Sequence, residues 1–241
     1  VSLRTRFAPT PSGFLHEGNA WNAIACWLAA RAEGGTLRLR IDDLDADRVR
    51  EECVEDVFAS LGWLGLDWDE GPRSPAERAA HGQPARRATY AGTLDALWAS
   101  GRLYACTCSR KDLQALPATP PPGACARGCR ERGLPREHPD AAWRLDTRGL
   151  PEERWADAWM GPVSLAPSAE GDPVLRRRDG LPAYHVASLT DDRDHGMTLL
   201  VRGADLLGAT ALQRALARVL DEQAPGRGWA DFPRARALHH P

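Results

Sequence analysis

The sequence predicts an α/β fold: a Rossmann-like parallel sheet with helices on both faces, interrupted by an inserted α+β segment that carries cysteines. Three observations predict it. A short strand ending near Ala8, an apolar helix over 18–33 and the alternating strand Thr36-Leu-Arg-Leu-Arg-Ile41 form one β-α-β unit. A second β-α unit comes late, where the apolar strand Thr198-Leu-Leu-Val-Arg202 leads into a helix over 204–222. Between them, over about 103–175, lie short strands, prolines, glycines and four closely spaced cysteines. In folds of this class ligands sit at the carboxyl ends of the parallel strands.

The first element is organised around Arg4-Thr-Arg-Phe-Ala-Pro-Thr-Pro-Ser-Gly-Phe-Leu-His-Glu-Gly18. Two prolines and Gly13 force an irregular turn after the strand. His16 and Gly18 then open a helix that runs from Ala20 to about Arg31. A strand, a Gly/Pro-bearing loop and a helix start make a phosphate site, because free N–H groups and the positive end of the dipole point out of the helix mouth. The stretch is not the dinucleotide glycine fingerprint, and it is not a P-loop, since no Gly-Lys-Ser/Thr follows. The second strand ends in Arg40-Ile-Asp-Asp-Leu-Asp45, with three acids where ligands sit. A helix over 48–62 follows, with Val49, Cys53, Val54, Val57, Phe58 and Leu61 on its apolar face and Gly62 as its stop. After an acidic, Trp-rich loop at 63–75, a helix over 83–100 carries Leu94, Leu97 and Trp98 on one face and stops at Gly101.

Leu103-Tyr-Ala105 is a short strand that enters the cysteine block. Residues 115–139 are too rich in Pro and Gly to predict a regular element, and short strands follow near 141–146, 162–166 and 174–177. Ala183 to Leu189 reads as a helix ending at Asp191-Asp192, and 206–220 carries the apolar face of the late helix. Residues 224–241 run off through Pro, Gly and Arg to His239-His240-Pro241. The expected division is 1–102 and 176–223 as the two halves of one nucleotide-binding fold, 103–175 as the insert, and 224–241 as the start of a C-terminal segment. Cys106-x-Cys108 and Cys125-x3-Cys129 are separated by sixteen residues, and four thiolates at such spacing read as one structural, tetrahedral zinc site, with reduced free cysteines as the alternative. The segment between them has too little apolar content to order itself, so the metal would supply the order. Cys26 and Cys53 lie on apolar helix faces and read as core.

A 43% apolar and 27% charged composition is that of a globular protein, and a net charge of −2 rules out a global basic field for nucleic acid. Arg4, Arg6, Arg176, Arg177 and Arg178 remain candidates for local patches. No run of 18 apolar residues and no secretory signal is seen, so the expected location is cytoplasmic. Lys111 is the only lysine, so any step that needs a lysine elsewhere must do without one.

The stretch from Arg4 to Gly18 resembles the first signature of class I aminoacyl-tRNA synthetases, in the form used by glutamyl-tRNA synthetases. The resemblance implies that His16, Gly18 and Asn19 serve catalysis and, with Pro9 and Thr10, approach ATP, while magnesium accompanies the nucleotide. It implies a glutamate pocket lined by Arg6, Phe7, Ala8, Pro9, Thr10, Asp42, Tyr184 and Arg202. Tyr184 falls in Leu-Pro-Ala-Tyr-His-Val-Ala-Ser, which is similar to the family's Tyr-bearing helix before Asp-Asp. Arg6 and Arg202 leave two strands whose tips should face one crevice, and two guanidiniums there suit a substrate with two carboxylates. Asp42 stands where the family has a glutamate that binds the substrate's amino group, and it reaches about 1.5 Å less far.

The Cys-x-Cys knuckle after Leu-Tyr resembles the insert of the short, glutamyl-queuosine tRNA(Asp) synthetase branch, in which a tyrosine often stands where Cys125 stands here. This branch would be a ligase that forms glutamyl-adenylate from ATP and L-glutamate and passes the glutamyl group to queuosine at the wobble position of tRNA(Asp). It implies tRNA(Asp) as a partner, no membrane partner, and a monomer. A truncated glutamyl-tRNA synthetase-like paralogue, which charges a tRNA end or binds tRNA without catalysis, is the alternative. Leu238-His-His-Pro241 is similar to the lead-in of the family's second, lysine-bearing loop, so the natural chain is expected to continue into it.

Overall fold

The computed structural model of the protein describes residues 2–109, 111–112, 125 and 127–241. Its first unit is β1 (Arg4–Phe7), α1 (Glu17–Ala32) and β2 (Thr36–Leu39), with β1 and β2 parallel and in register from Arg4 opposite Thr36. His16 caps α1: its Nδ1 accepts the Gly18 N–H at 3.1 Å, and the Asn19 side chain accepts the His16 N–H at 3.2 Å. This reciprocal pair satisfies two orphan donors of the first turn. α2 spans Glu51–Trp63 and begins with Glu51 and Glu52, whose charges favour the positive helix end. The helix passes through Gly62 without stopping; Gly65, two residues past its end, takes the positive φ instead. A short helix, α3 (Arg78–His81), leads into α4 (Arg87–Ala99), which Gly101 ends at φ +72.

The inserted segment supplies β3 (Leu103–Cys106), α5 (Cys129–Arg132), β4 (Ala142–Leu145), β5 (Glu153–Asp157), β6 (Gly161–Leu165) and β7 (Val174–Arg176). Of the stretch 115–139, expected to hold no regular element, residues 115–124 and 126 lie outside the described residues, and α5 falls in the rest. β3, β4 and β7 form one sheet. β5 and β6 form a hairpin that joins a second sheet, in the order β6-β5-β9-β8, with β8 (Leu199–Gly203) and β9 (Arg236–His240). Two expectations change here. β5 went unpredicted, because its buried positions are the acids Glu153 and Asp157 rather than apolar residues. Residues 224–241, expected to run off, fold back: β9 lies parallel to β8 from Arg236 opposite Leu199 to His240 opposite Gly203.

α6 (Tyr184–Asp194) is longer than expected and buries both Asp191 and Asp192 instead of ending at them. α7 (Leu207–Gln223) follows β8. β1 lies beside β8, where the Thr198 N–H donates to the Arg4 carbonyl at 2.9 Å. Strand alternation along β8 shows the layering: Leu199 and Val201 pack with Phe7, Cys26 and Val57, while Leu200 packs with Leu189, Leu212 and Leu216. Helices therefore cover both faces of the central strands. Cys26 and Cys53 are core, as expected.

Past their ladder, β1 and β2 stay joined. Arg40 N–H donates to the Phe7 carbonyl, and Asp42 N–H to the Pro9 carbonyl, so the Ala8–Thr10 loop and the acidic strand tail form one wall. Across the outer edge of β2, the Leu39 N–H donates to Glu70. This close approach needs Gly71, which sits at φ +101, and a Cβ there would collide with the Leu39 carbonyl oxygen. Gly71→Ala is expected to destabilise the fold by about 1–3 kcal/mol or more, read as a lower urea midpoint at unchanged m-value.

Candidate active site

The tips of β1, β2 and β8, the mouth of α1 and the first turn of α6 surround a cleft of about 720 Å³. Arg6, Phe7, Ala8, Pro9, Thr10, His16, Gly18, Asn19, Asp42, Tyr184 and Arg202, the residues singled out for glutamate, ATP and catalysis, all line it. The structure thus brings them together. It also brings in Arg40, Asn22 and His240, which the sequence reading did not single out.

The electrostatics turn on Asp192, which that reading took for a helix end. Its Oδ1 accepts from Arg6 Nε at 2.9 Å and from Arg40 Nη1 at 2.7 Å, and Arg202 Nη2 lies 3.5 Å from its Oδ2. All four side chains are buried. Burial pushes the Asp192 carboxyl up, but Arg6, Arg40 and Arg202 outweigh it and hold it at about 2. The neighbouring Asp191 accepts from Gln83, Arg86 and the Tyr90 hydroxyl, at 2.9, 2.7 and 2.9 Å, and its Oδ2 also lies 3.7 Å from Arg40 Nε. Two acids in an otherwise apolar helical run were the available signal for this cluster.

Arg40 also clamps Asp42, with Nε to Oδ1 at 2.6 Å and Nη2 to Oδ2 at 3.1 Å. A carboxylate has about four acceptor sites, so two remain. Burial pushes the Asp42 carboxyl up despite Arg40. Burial pushes the Arg202 guanidinium down, and its Nε and Nη2 have no hydrogen-bond partner. His16 is held by its capping role, and the Leu15 N–H beside it donates to Asp56 of α2 at 2.8 Å, which fixes the loop before α1.

The four cysteines form a second site. Cys106 ends β3, and Cys129 opens α5 with its N–H on Cys125 Sγ at 3.2 Å. Sγ–Sγ distances are 3.3 Å for Cys108–Cys125, 3.7 Å for Cys106–Cys125 and 3.9 Å for Cys108–Cys129, and all four sulfurs lie within 4.8 Å of one another. A tetrahedral centre with bonds of about 2.3 Å needs sulfurs about 3.8 Å apart, so the set fits one metal ion. The arginines considered as an RNA patch have local partners instead. Arg4 pairs with Glu70, Arg177 with Asp45 and Asp179, Arg178 with the Thr107 carbonyl, and Arg176 lies over Trp143. Among the described residues no helix is long and apolar enough to cross a membrane.

This arrangement, strand tips against a capped helix mouth with a cysteine-bearing insert between the halves, defines a class I synthetase catalytic fold. Residues 2–233 match the family of class I tRNA synthetases (E and Q), catalytic domain. Glutamyl-Q tRNA(Asp) synthetase of Nitratidesulfovibrio vulgaris is 40% identical over 92% of this chain and 72% of its own length. The enzyme of the same name from Symbiobacterium thermophilum is 42% identical over the same shares. Among solved structures, a glutamate tRNA ligase from Elizabethkingia meningosepticum, in complex with its amino acid, superposes with a TM-score of 0.76 at 26% identity. The alignment covers all of this chain, which spans about half (49%) of that one. The chain belongs to the class I tRNA synthetase family, an enzyme family of ligases, on its glutamyl-Q tRNA(Asp) synthetase branch.

Removing the Asp192 charge leaves three guanidiniums facing one another. Asp192→Asn is expected to cost about 3–5 kcal/mol of stability at neutral pH. A carboxyl whose value is depressed on folding stabilises above its unfolded value, about 3.9, and loses that contribution as pH falls through the folded one. The gap between wild type and Asp192→Asn, measured by urea denaturation, should therefore be full above about pH 4 and narrow toward about pH 2.

Proposed function

We propose that the protein activates L-glutamate with ATP and transfers the glutamyl group to queuosine at the wobble position of tRNA(Asp). The observation that carries this reading is the buried Arg202 guanidinium, whose Nε and Nη2 make no hydrogen bond and whose Nη2 has only the 3.5 Å ion-pair contact with Asp192, in the cleft that also holds the mouth of α1. Buried N–H donors without partners are costly unless a ligand supplies the acceptor. A carboxylate does so, and Arg6 on the neighbouring strand tip supports a second one. The names of the relatives favour glutamate and tRNA(Asp), and the cysteine knuckle accords with the branch that acts on queuosine.

In the first step a glutamate α-carboxylate oxygen attacks the α-phosphorus of ATP, and pyrophosphate leaves. Arg6, Asp42, Tyr184 and Arg202 hold the amino acid for in-line attack. The α1 N-terminus, kept in shape by His16, Gly18 and Asn19, offers its dipole to the phosphates alongside Pro9 and Thr10. In the second step a queuosine hydroxyl attacks the acyl carbon, AMP leaves, and the hydroxyl proton is released. ATP would bring magnesium with it, whose charge would offset that of the phosphates. The Cys106, Cys108, Cys125 and Cys129 thiolates hold one structural zinc, remote in role from the chemistry. The protein acts as a monomer in the cytoplasm, where its tRNA is.

Full-length protein incubated with labelled glutamate, ATP and tRNA(Asp) should label only the queuosine-containing tRNA. Label that ignores queuosine status would sink the queuosine reading in favour of charging of a tRNA end, and RNA binding with no use of ATP would leave a non-catalytic paralogue. For the metal, elemental analysis should give one zinc per chain. Cys108→Ser should lose most of it and expose the segment around β3 and α5 to protease, while the cleft keeps its ATP affinity.

A further inference from the structure

One face of Arg202 is held by a buried chain of side chains that none of the roles above uses. Arg202 Nη1 donates to Thr210 Oγ1 at 2.9 Å. Thr210 Oγ1 lies 2.9 Å from His239 Nε2, and His239 Nδ1 lies 2.6 Å from Asp157 Oδ2. Thr210, His239 and Asp157 are buried, and the His239 and Asp157 side chains are wholly so. The chain links α7, β9 and β5, so the inserted hairpin is tied to the tip of β8.

The hydrogen atoms can be assigned from one end. Asp157 Oδ1 already accepts backbone N–H groups of Trp159, Met160 and His239, at 3.0, 3.0 and 3.1 Å. Its Oδ2 is left for His239. Asp157 lies below the usual carboxylate range, because His239 and the backbone donors outweigh its burial, and burial keeps His239 below its ordinary value. An ionised Asp157 fixes the His239 proton on Nδ1, which leaves Nε2 as an acceptor. The Thr210 hydroxyl proton then has two acceptors in reach, His239 Nε2 at 2.9 Å and the Leu206 carbonyl at 3.0 Å, and its oxygen presents lone pairs to Arg202. A mobile arginine carries rotamer entropy that this anchor removes before any ligand arrives. With Nη1 anchored, Nε and Nη2 make no hydrogen bond, and Nη2 keeps only its 3.5 Å contact with Asp192.

We propose that Asp157, His239 and Thr210 are positioning residues for Arg202, setting the fork that receives a carboxylate of the amino-acid substrate. The proposal rests on the reading of this cleft as a glutamate pocket. It makes glutamate affinity depend on a hydroxyl that never touches glutamate. It also makes β9 and the β5–β6 hairpin part of substrate selection.

The test is calorimetric titration of the full-length protein with glutamate and, separately, with ATP. Thr210→Val keeps the shape and removes the hydroxyl, so it should weaken glutamate about tenfold or more and leave ATP within about twofold. His239→Gln, which breaks the link to Asp157, should weaken glutamate in the same selective way. Thr210→Ser should restore most of the affinity. A folded Thr210→Val protein with wild-type glutamate affinity overturns the proposal. So does equal weakening of glutamate and ATP, which would mark a purely structural role. Wild-type protein that binds ATP but no glutamate overturns the pocket reading itself, and the proposal with it.

Discussion

The Asp192 carboxylate is the interaction on which the strand tips depend. Arg6, Arg40 and Arg202 come from three parts of the chain and are buried together. Without a buried anion they would repel one another and pull toward solvent. Asp192 contacts all three, and its neighbour Asp191 fastens the same helix to Gln83, Arg86 and Tyr90 on the other side. Adjacent helical residues point about 100° apart, so one tandem pair serves two surfaces. Arg40 meets three carboxylates, Asp42, Asp192 and, at 3.7 Å, Asp191, whereas Arg202 has only the longer 3.5 Å contact with Asp192 among the described residues. Positive charge is therefore least compensated at Arg202, and that end of the cleft is the one receptive to an anionic group.

Much of this was legible in the sequence because periodicity and end signals report on local structure. The β-α-β opening, the late β-α unit and the gathering of the pocket residues at strand ends all follow from chain direction in a parallel sheet. Gly62 misled because a lone glycine is tolerated inside a helix, and Gly65 was free to take the left-handed turn. β9 was missed because Arg236-Ala-Leu-His-His240 reads as a polar tail. Its two histidines become buried only once β8 and the β5 hairpin are in place, which is a long-range fact. The role of Asp192 was hidden for the same reason. A sequence shows two acids in an apolar run, but not the three arginines that answer them.

The insert shows what replaces a core when apolar residues run out. Tyr104, Cys106, Cys108 and Cys129 form their own small buried cluster, separate from the two large ones. Around it, the Tyr104 hydroxyl donates to Asp172 at 2.8 Å, Arg130 pairs with Asp172, and Thr147 donates to the same carboxylate. Burial pushes the Cys106 and Cys108 thiols up, so an apo state keeps protons that a metal must displace. The polar network orients the knuckle, and the hairpin that follows it in the chain reaches the catalytic sheet at Asp157. The insert is therefore paired, through this hairpin, into the sheet whose strand β8 carries Arg202.

Asp42 and Arg202 complete the argument about what the cleft receives. Burial raises the Asp42 carboxyl even with Arg40 clamped to it, because Asp191 and Asp192 add repulsion. A cationic group brought to its two free acceptor sites would relieve that penalty. Burial lowers the Arg202 guanidinium, so an anionic group brought to Nε and Nη2 would relieve the opposite one. One wall of the cleft therefore favours a positive ligand group and another a negative one, which is the charge pattern of an amino-acid zwitterion. A neutral ligand would relieve neither, and a simple anion only one. Arg40 holds the Asp42 carboxylate through both of its oxygens, so the shorter side chain keeps a fixed position in the wall of the cleft.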